Sequence, residues 1–305
     1  VLIGDRVLLD SADWRTIRAE VSGRMNPLRL ITVGTDFSPP AATALGWAAE
    51  LARLHKAGLL LVHAYAKDDH GLSEDEVRTC LAGLAACEMA RDIPTQVEML
   101  KGSPAEVVAG CARSSGSDLL VIGSLGRGRL SRMLMGSVAD STLKMASTPT
   151  LVVHPADAGR PVRFKNQLVA TDFSPEADRA AEFAVRIAGA VEGAEVSLMH
   201  ATQVPGPFVG VEVPAVPIVE PGESDAMARA GLSERTQRWS GAGVRVQGLT
   251  CPGSPVEVLL DVAEDRDSDL IVVGTTGPGG VSKFLLGSIA TDLVHRAHRP
   301  VLVVR

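Results

Sequence analysis

The sequence is poor in aromatic residues: its 305 positions hold six Phe, three Trp and one Tyr. So few rings cannot build the stacking platforms on which single-stranded nucleic acids lie. It has no basic excess either. Thirty Lys and Arg stand against 36 Asp and Glu, a formal net charge of −6 at pH 7 that repels polyanions and argues against general nucleic-acid binding. Cysteine is scarce: Cys80, Cys87, Cys111 and Cys251 form no CxxC pair and no Cys/His group at metal-ligand spacing. That usage points to a reducing, cytoplasmic compartment. No apolar run approaches the roughly 18 residues of a membrane span, and the longest, from Ala57 to Ala66, is interrupted by His63. Asp5, Arg6, Asp10, Asp13 and Arg15 occupy the stretch that a signal peptide would keep apolar. Neither membrane insertion nor export is expected.

What the chain does have is enough apolar material for cores, and a repeat. Hydrophobic residues make up 46% and charged residues 22%, ordinary globular usage. At about 150 residues per domain the length suggests two units. Self-similarity confirms the division. Thr35-Asp36-Phe37-Ser38-Pro39 returns as Thr171-Asp172-Phe173-Ser174-Pro175, and Leu61-Val62-His63-Ala64 as Leu198-Met199-His200-Ala201. Further on, Gly102-Ser103-Pro104 returns as Gly253-Ser254-Pro255, and the run from Ser117 to Gly123 as the run from Ser268 to Gly274. The offset grows from 137 to 151 between these landmarks, so the second copy carries about fourteen extra residues, placed in the Pro/Gly-rich stretch from Thr202 to Asp225. Copy one spans 28–156 and copy two 162–305, with a polar join from Asp157 to Pro161. Residues 1–27 lie outside the repeat and are read as an N-terminal extension, either flexible or upstream of a true start at Met25, with no function assigned.

Each copy alternates strand and helix. Strands are expected at Leu30–Gly34, Leu59–His63, Thr95–Leu100, Leu119–Ile122 and Thr150–Val153, with helices such as Pro39–Lys56 and Glu74–Arg91 between them. Nearly continuous Val, Ile and Leu suit a parallel sheet covered on both faces. The expected fold is therefore α/β: two tandem Rossmann-like units, each an open five-stranded parallel sheet flanked by helices.

After the fourth strand of each copy comes a glycine pattern of identical spacing: Gly123, Gly126, Gly136 and Ser137 in one, Gly274, Gly277, Gly287 and Ser288 in the other. Such glycines can turn the backbone with positive φ and present bare N–H groups to an anion, and the Gly-Ser step then opens a helix whose positive end adds to the site. The same pattern also fits a strand-to-helix turn capped for stability alone. Asp36 and Asp172 end the first strands, where a carboxylate can accept from a ribose hydroxyl or an amine, or can simply shape the entry of the next helix. Ser38 and Ser174 are its N-caps, and Pro39 and Pro175 take the first helical position. If strands one and four are neighbours, Asp and glycine loop face one crevice at the topological switch point. The loops differ in charge: Arg127, Arg129 and Arg132 in copy one against Lys283 alone in copy two, so copy one should hold polyphosphate more tightly. His63 and His200 read as packing or hydrogen-bonding residues beside the crevice. His295 and His298, with Arg296 and Arg299, complement the last helix dipole. Cys80 and Cys87, seven apart on one helix, read as both buried or both inert.

These residues resemble the universal stress protein family, over almost all of the chain from Leu28 to Arg305. The family motif G-x2-G-x9-G-(S/T) occurs twice, which marks the ATP-binding branch. The resemblance implies that Asp36 and Asp172 contact adenosine and that Ala64 and Ala201, just past the second strands, hold adenine through backbone groups. It also implies that the glycines and serines named above surround ribose and phosphates. Leu125 and Thr276 stand where the family often has histidine, and Ala139 and Ala290 replace a hydroxyl-bearing residue found in some relatives. The expected ligand is ATP, AMP or ADP, with Mg2+ accompanying the phosphates, and the expected role a stress-responsive regulator or sensor. Pairing of the final strands would make the chain an internal pseudo-dimer, with a homodimer also open. The rival readings are a nucleotide-free interaction module and a slow ATP hydrolase; no P-loop and no evident base or nucleophile favour catalysis.

Overall fold

The computed structural model describes residues 26–65, 73–126, 135–202, 221–239, 243–275 and 286–305. The first half runs β1 (Leu30–Gly34), α1 (Pro39–His55), β2 (Gly58–Tyr65), α2 (Glu74–Ala86), β3 (Thr95–Lys101), α3 (Pro104–Ser114), β4 (Leu119–Gly123), α4 (Ser137–Met145) and β5 (Thr150–Val153). The second repeats it as β6 (Asn166–Ala170), α5 (Pro175–Ala188), β7 (Glu195–Thr202), α6 (Pro221–Arg238), β8 (Arg245–Pro252), α7 (Pro255–Asp265), β9 (Leu270–Gly274), α8 (Ser288–Arg296) and β10 (Val301–Val304). Most of the insert, and residues 1–25, fall outside the described residues. Among those described, no helix is long and apolar enough to cross a membrane.

Within each half all strand pairs are parallel, and β1 and β6 sit in the middle beside β2 and β4, or β7 and β9. Apolar side chains on one sheet face pack under α1, α2, α5 and α6; those on the other pack under α3, α4, α7 and α8. The strands lie between two helix layers, which is why Leu119 to Val121 and Leu270 to Val272 need no polar alternation. Two details differ from the sequence expectation. The second helix ends at Ala86 rather than Arg91, because Cys87 is extended (φ −69°, ψ 165°) and the following single turn, Glu88–Ala90, swings Ala90 into full burial. Cys80 is consequently exposed and Cys87 half-buried, not a buried pair.

The halves share one sheet. β5 and β10 pair antiparallel (Val152 with Val301, Leu151 with Leu302, Thr150 with Val303), giving the order β3-β2-β1-β4-β5-β10-β9-β6-β7-β8. Side chains reinforce this seam. Arg186 of α5 donates to Asp118 Oδ1 (2.8 Å) and to the Pro27 carbonyl (2.9 Å), and Arg305 caps the end of α4 through the carbonyls of Leu143 and Lys144. The Trp47 and Phe164 rings meet edge to face at 5.2 Å. The join itself is a reciprocal cap: Asp157 Oδ2 accepts from the His154 amide (2.8 Å), and the His154 carbonyl accepts from the Asp157 amide (2.9 Å).

Burial perturbs these groups in opposite senses. Desolvation pushes the Asp157 carboxyl up to about 6, while desolvation holds His154 down at about 4, with His298 and His295 adding to the effect. His55, whose Nδ1 accepts from the Leu28 amide, is also lowered to about 4, first by desolvation and then by Arg186. Both histidines bind protons in the unfolded chain before they do in the folded one, so stability falls as pH drops from about 6.5 toward 4. Asp157 takes its proton earlier when folded and opposes that fall over the same window. Melting temperatures recorded between pH 7 and pH 5 should therefore decline, and Asp157→Asn should make the decline steeper; a shallower decline contradicts the assignment. Cutting an engineered protease site between Ala158 and Gly159, both exposed, should leave the two halves co-eluting on size exclusion, whereas separate elution would show that the shared sheet does not hold them.

Candidate functional site

In the first half, β1 stops at Gly34 while β2 continues to Tyr65. The last rung between them is the Thr35 amide donating to the Val62 carbonyl (2.9 Å), so Val62 turns its backbone polar groups toward β1. Strand periodicity gives Ala64 the same direction, but β1 no longer runs beside it. The Ala64 N–H and C=O therefore open over the end of β1. Ala64 lies within the strand, paired with Leu100 on the register with β3, and not past it as the sequence suggested.

The chain leaves β1 through a turn that its own side chains build. Thr35 Oγ1 accepts from the Phe37 amide (3.1 Å), and Asp36 Oδ1 accepts from both the amide (3.0 Å) and the hydroxyl of Ser38. Ser38 in turn caps α1 through the Ala41 amide, with Pro39 in first position. Between them Phe37 has φ 62°, a left-handed conformation that a bulky residue adopts only when its surroundings enforce it. The buried His63 supplies that enforcement. Its Nδ1 lies 2.8 Å from the Thr35 carbonyl, an acceptor, so this nitrogen carries the proton, and its ring packs on Phe37 at 4.7 Å. Asp36 thus stands two residues beyond the strand end, on a turn held from both sides.

The glycine loop forms the opposite wall, for a reason other than the expected one. None of Gly123, Gly126 and Gly136 has positive φ; Gly136 is at −68°. What they supply is room. A Cβ on Gly123 would lie 3.0 Å from the Pro40 carbonyl oxygen, and one on Gly126 only 2.8 Å from Asp36 Oδ2. The Gly136 amide is not bare either, since it donates to the Ser124 carbonyl (2.7 Å). The amides that follow, of Ser137, Val138 and Ala139, belong to the first turn of α4, have no helical acceptor, and face no capping side chain. Asp36, Ala64, Gly123, Gly126, Gly136 and Ser137 all line one cavity of about 290 Å³, with His63 and Thr142 also in its wall. Arg127, Arg129 and Arg132 lie outside the described residues.

The second half repeats the construction. Thr171 Oγ1 accepts from the Phe173 amide (3.1 Å), Asp172 Oδ1 from the Ser174 amide (2.9 Å), and His200 Nδ1 donates to the Thr171 carbonyl (2.8 Å). Phe173 has φ 66° and stacks on His200 at 4.4 Å. The Thr171 amide donates to the Met199 carbonyl, so Ala201, again inside its strand, points its backbone groups past the end of β6. Gly274 makes room for the Glu176 backbone, where a Cβ would come within 2.9 Å, and Gly287, at φ −65°, donates to the Thr275 carbonyl ahead of Ser288 and the uncapped α8. Gly277 and Lys283 are outside the described residues. Sequence reading missed Thr35, Phe37 and their counterparts as structural parts of the site; the signal was the repeated Thr-Asp-Phe-Ser-Pro itself, whose Phe gives no hint of a left-handed turn.

Chemically, the first-half cavity offers a carboxylate at one wall, a backbone donor–acceptor pair at another and, at the far end, free helix amides with a positive dipole, and the second half carries the same groups on matching elements. That set suits a ligand with a flat polar ring, hydroxyls and an anionic tail. Among the described residues no three His, Cys, Asp or Glu side chains gather to hold a metal ion.

A model of the universal stress protein family matches residues 27–154 and again 163–305. A universal stress protein of Mycolicibacterium smegmatis is 30% identical over 296 residues, covering 90% of this chain and 96% of its own. One of Mycobacterium tuberculosis is 29% identical with the same coverage. Among solved structures, a universal stress protein from Archaeoglobus fulgidus superposes with TM-score 0.69 at 21% identity over 90% of this chain and 98% of its own, a likeness of fold. The match of both halves, each built around the same turn and glycine loop, places this chain in the universal stress protein family as two family domains in tandem.

Proposed function

We propose that each half binds one adenine nucleotide, ATP in preference to its smaller relatives, and that the chain serves the stress response as a nucleotide-dependent regulator. What carries this reading is the convergence of Asp36, the Ala64 backbone and the uncapped start of α4 on a single cavity of about 290 Å³, near the lower end of the roughly 300–1,000 Å³ of small-ligand pockets. In this reading the adenine edge bonds the Ala64 and Ala201 backbones, the ribose hydroxyls bond Asp36 and Asp172, and the phosphates meet the amides of Ser137 and Ser288. A divalent ion, when present, rides on the phosphates. Arg127, Arg129 and Arg132 strengthen polyphosphate binding in the first half, against Lys283 in the second.

Calorimetric titration of ATP should find two sites per chain. Gly126→Asp puts a carboxylate against Asp36 Oδ2 and should remove the first-half site, weakening it by at least about tenfold through like-charge repulsion and lost space; Gly277→Asp should remove the other. Two full-strength sites in both variants would contradict the proposal, and no heat or competition signal from wild type would favour a nucleotide-free interaction module. In the single-site variants the ATP-to-AMP affinity ratio should be larger for the first half than for the second, by about tenfold for each additional arginine that reaches phosphate; equal or inverted ratios would refute the ranking of the two loops.

A further inference from the structure

In the second half a charged clamp from α6 closes on the turn: the Arg235 guanidinium donates to the Phe173 carbonyl (2.9 Å), pairs with Asp178 Oδ1 (2.6 Å), and lies 4.9 Å from the centre of the Phe173 ring. The arginine side chain is only 12% exposed, so these charge-assisted bonds are poorly screened by solvent. Gly231, one turn earlier on α6, allows the approach, since a Cβ there would lie 3.1 Å from the Phe173 ring. Register along the paired helices is fixed by their buried residues, Val77 and Leu81 in α2 against Ala228 and Leu232 in α6. On that register Leu84 stands where Arg235 does, and Ala42 where Asp178 does. Leu84 is half-buried against the apolar core. The second half therefore covers its turn with a half-buried ion pair whose two positions hold Leu84 and Ala42 in the first half, both partners changed together.

We propose that Arg235 is a positioning residue of the second-half site: by gripping the carbonyl and the ring of Phe173 it fixes the left-handed turn that presents Asp172, and so preorganises the adenosine end of that site. The proposal rests on the nucleotide reading above and extends it. In the second half the nucleoside is then recognised through a rigid turn. The clamp also ties the Asp172 turn to α6, the helix that follows the insert.

The test uses the full chain carrying Gly126→Asp, so that only the second site is read. Arg235→Leu with Asp178→Ala installs the residues that the first half uses at matching positions, and Arg235→Lys keeps the charge without the planar fork. In the nucleotide-free protein, hydrogen exchange at the amides of Phe173 and Ser174 should be about tenfold faster in both variants, the loss expected for charged hydrogen bonds of this kind, while the β6 amides of Leu168 and Val169 keep their rate. Adenosine affinity should fall by about the same factor. A residue that merely stabilised the fold would move all of these amides together, and that result, or unchanged exchange at Phe173 and Ser174, overturns the clamp. Unchanged adenosine affinity alongside faster exchange overturns its role in binding. Failure of the Gly126→Asp parent to bind adenosine at all refutes the nucleotide reading instead, and the exchange rates still decide whether the clamp exists.

Discussion

The site depends on a central strand that stops early. β1 and β6 end at Gly34 and Ala170 while their neighbours β2 and β7 run on to Tyr65 and Thr202, so a backbone donor and acceptor at Ala64, and again at Ala201, are left pointing over an open strand end. Unpaired backbone groups inside a fold are costly unless water or a ligand satisfies them. The halt is enforced locally: the Thr and Asp side chains, Thr35 with Asp36 and Thr171 with Asp172, fold the chain back on its own amides, and a histidine, the buried His63 or the half-buried His200, takes the carbonyl that would have continued the ladder. The strained Phe37 and Phe173 are the cost of that turn, of order 1–3 kcal/mol each.

Around this gap the remaining features become necessary. The turn swings α1 against the end of β4 so closely that a side chain on Gly123 would crowd the Pro40 carbonyl, and Asp36 is brought so near the loop that one on Gly126 would have to push its carboxylate aside. The neighbouring connection leaves in the opposite layer and starts α4 with its amides toward the same space. Because β10 pairs antiparallel to β5, the second copy of this arrangement is joined to the first through a single sheet.

Much of this was legible in the residues. The tandem repeat, the α/β alternation and most strand limits follow from spacing and apolar runs, since parallel strands covered on both faces leave an unambiguous Val/Ile/Leu signature. Asp36, Ala64, Gly123, Gly126, Gly136 and Ser137 were nominated together and do line one cavity. The reasons assigned to them were less accurate. The motif glycines were expected to adopt positive φ, yet the left-handed residues are Phe37 and Phe173, and glycine serves close approach instead. Periodicity cannot reveal that, because the crowding atoms, Pro40 and Glu176, come from another element. Nor could it reveal the Arg235 clamp, whose partners Asp178 and Phe173 lie 57 and 62 residues away. The helix break at Cys87 was likewise hidden, because it answers to the burial of Ala90 against α1 rather than to any breaker in the sequence.

The most direct test of the account is a crystal structure of the chain soaked in ATP. It predicts an adenine edge hydrogen-bonded to the N–H and C=O of Ala64 and of Ala201, above the ends of β1 and β6. Both strand ends sealed by protein side chains or by water, with the base elsewhere or absent, would contradict it.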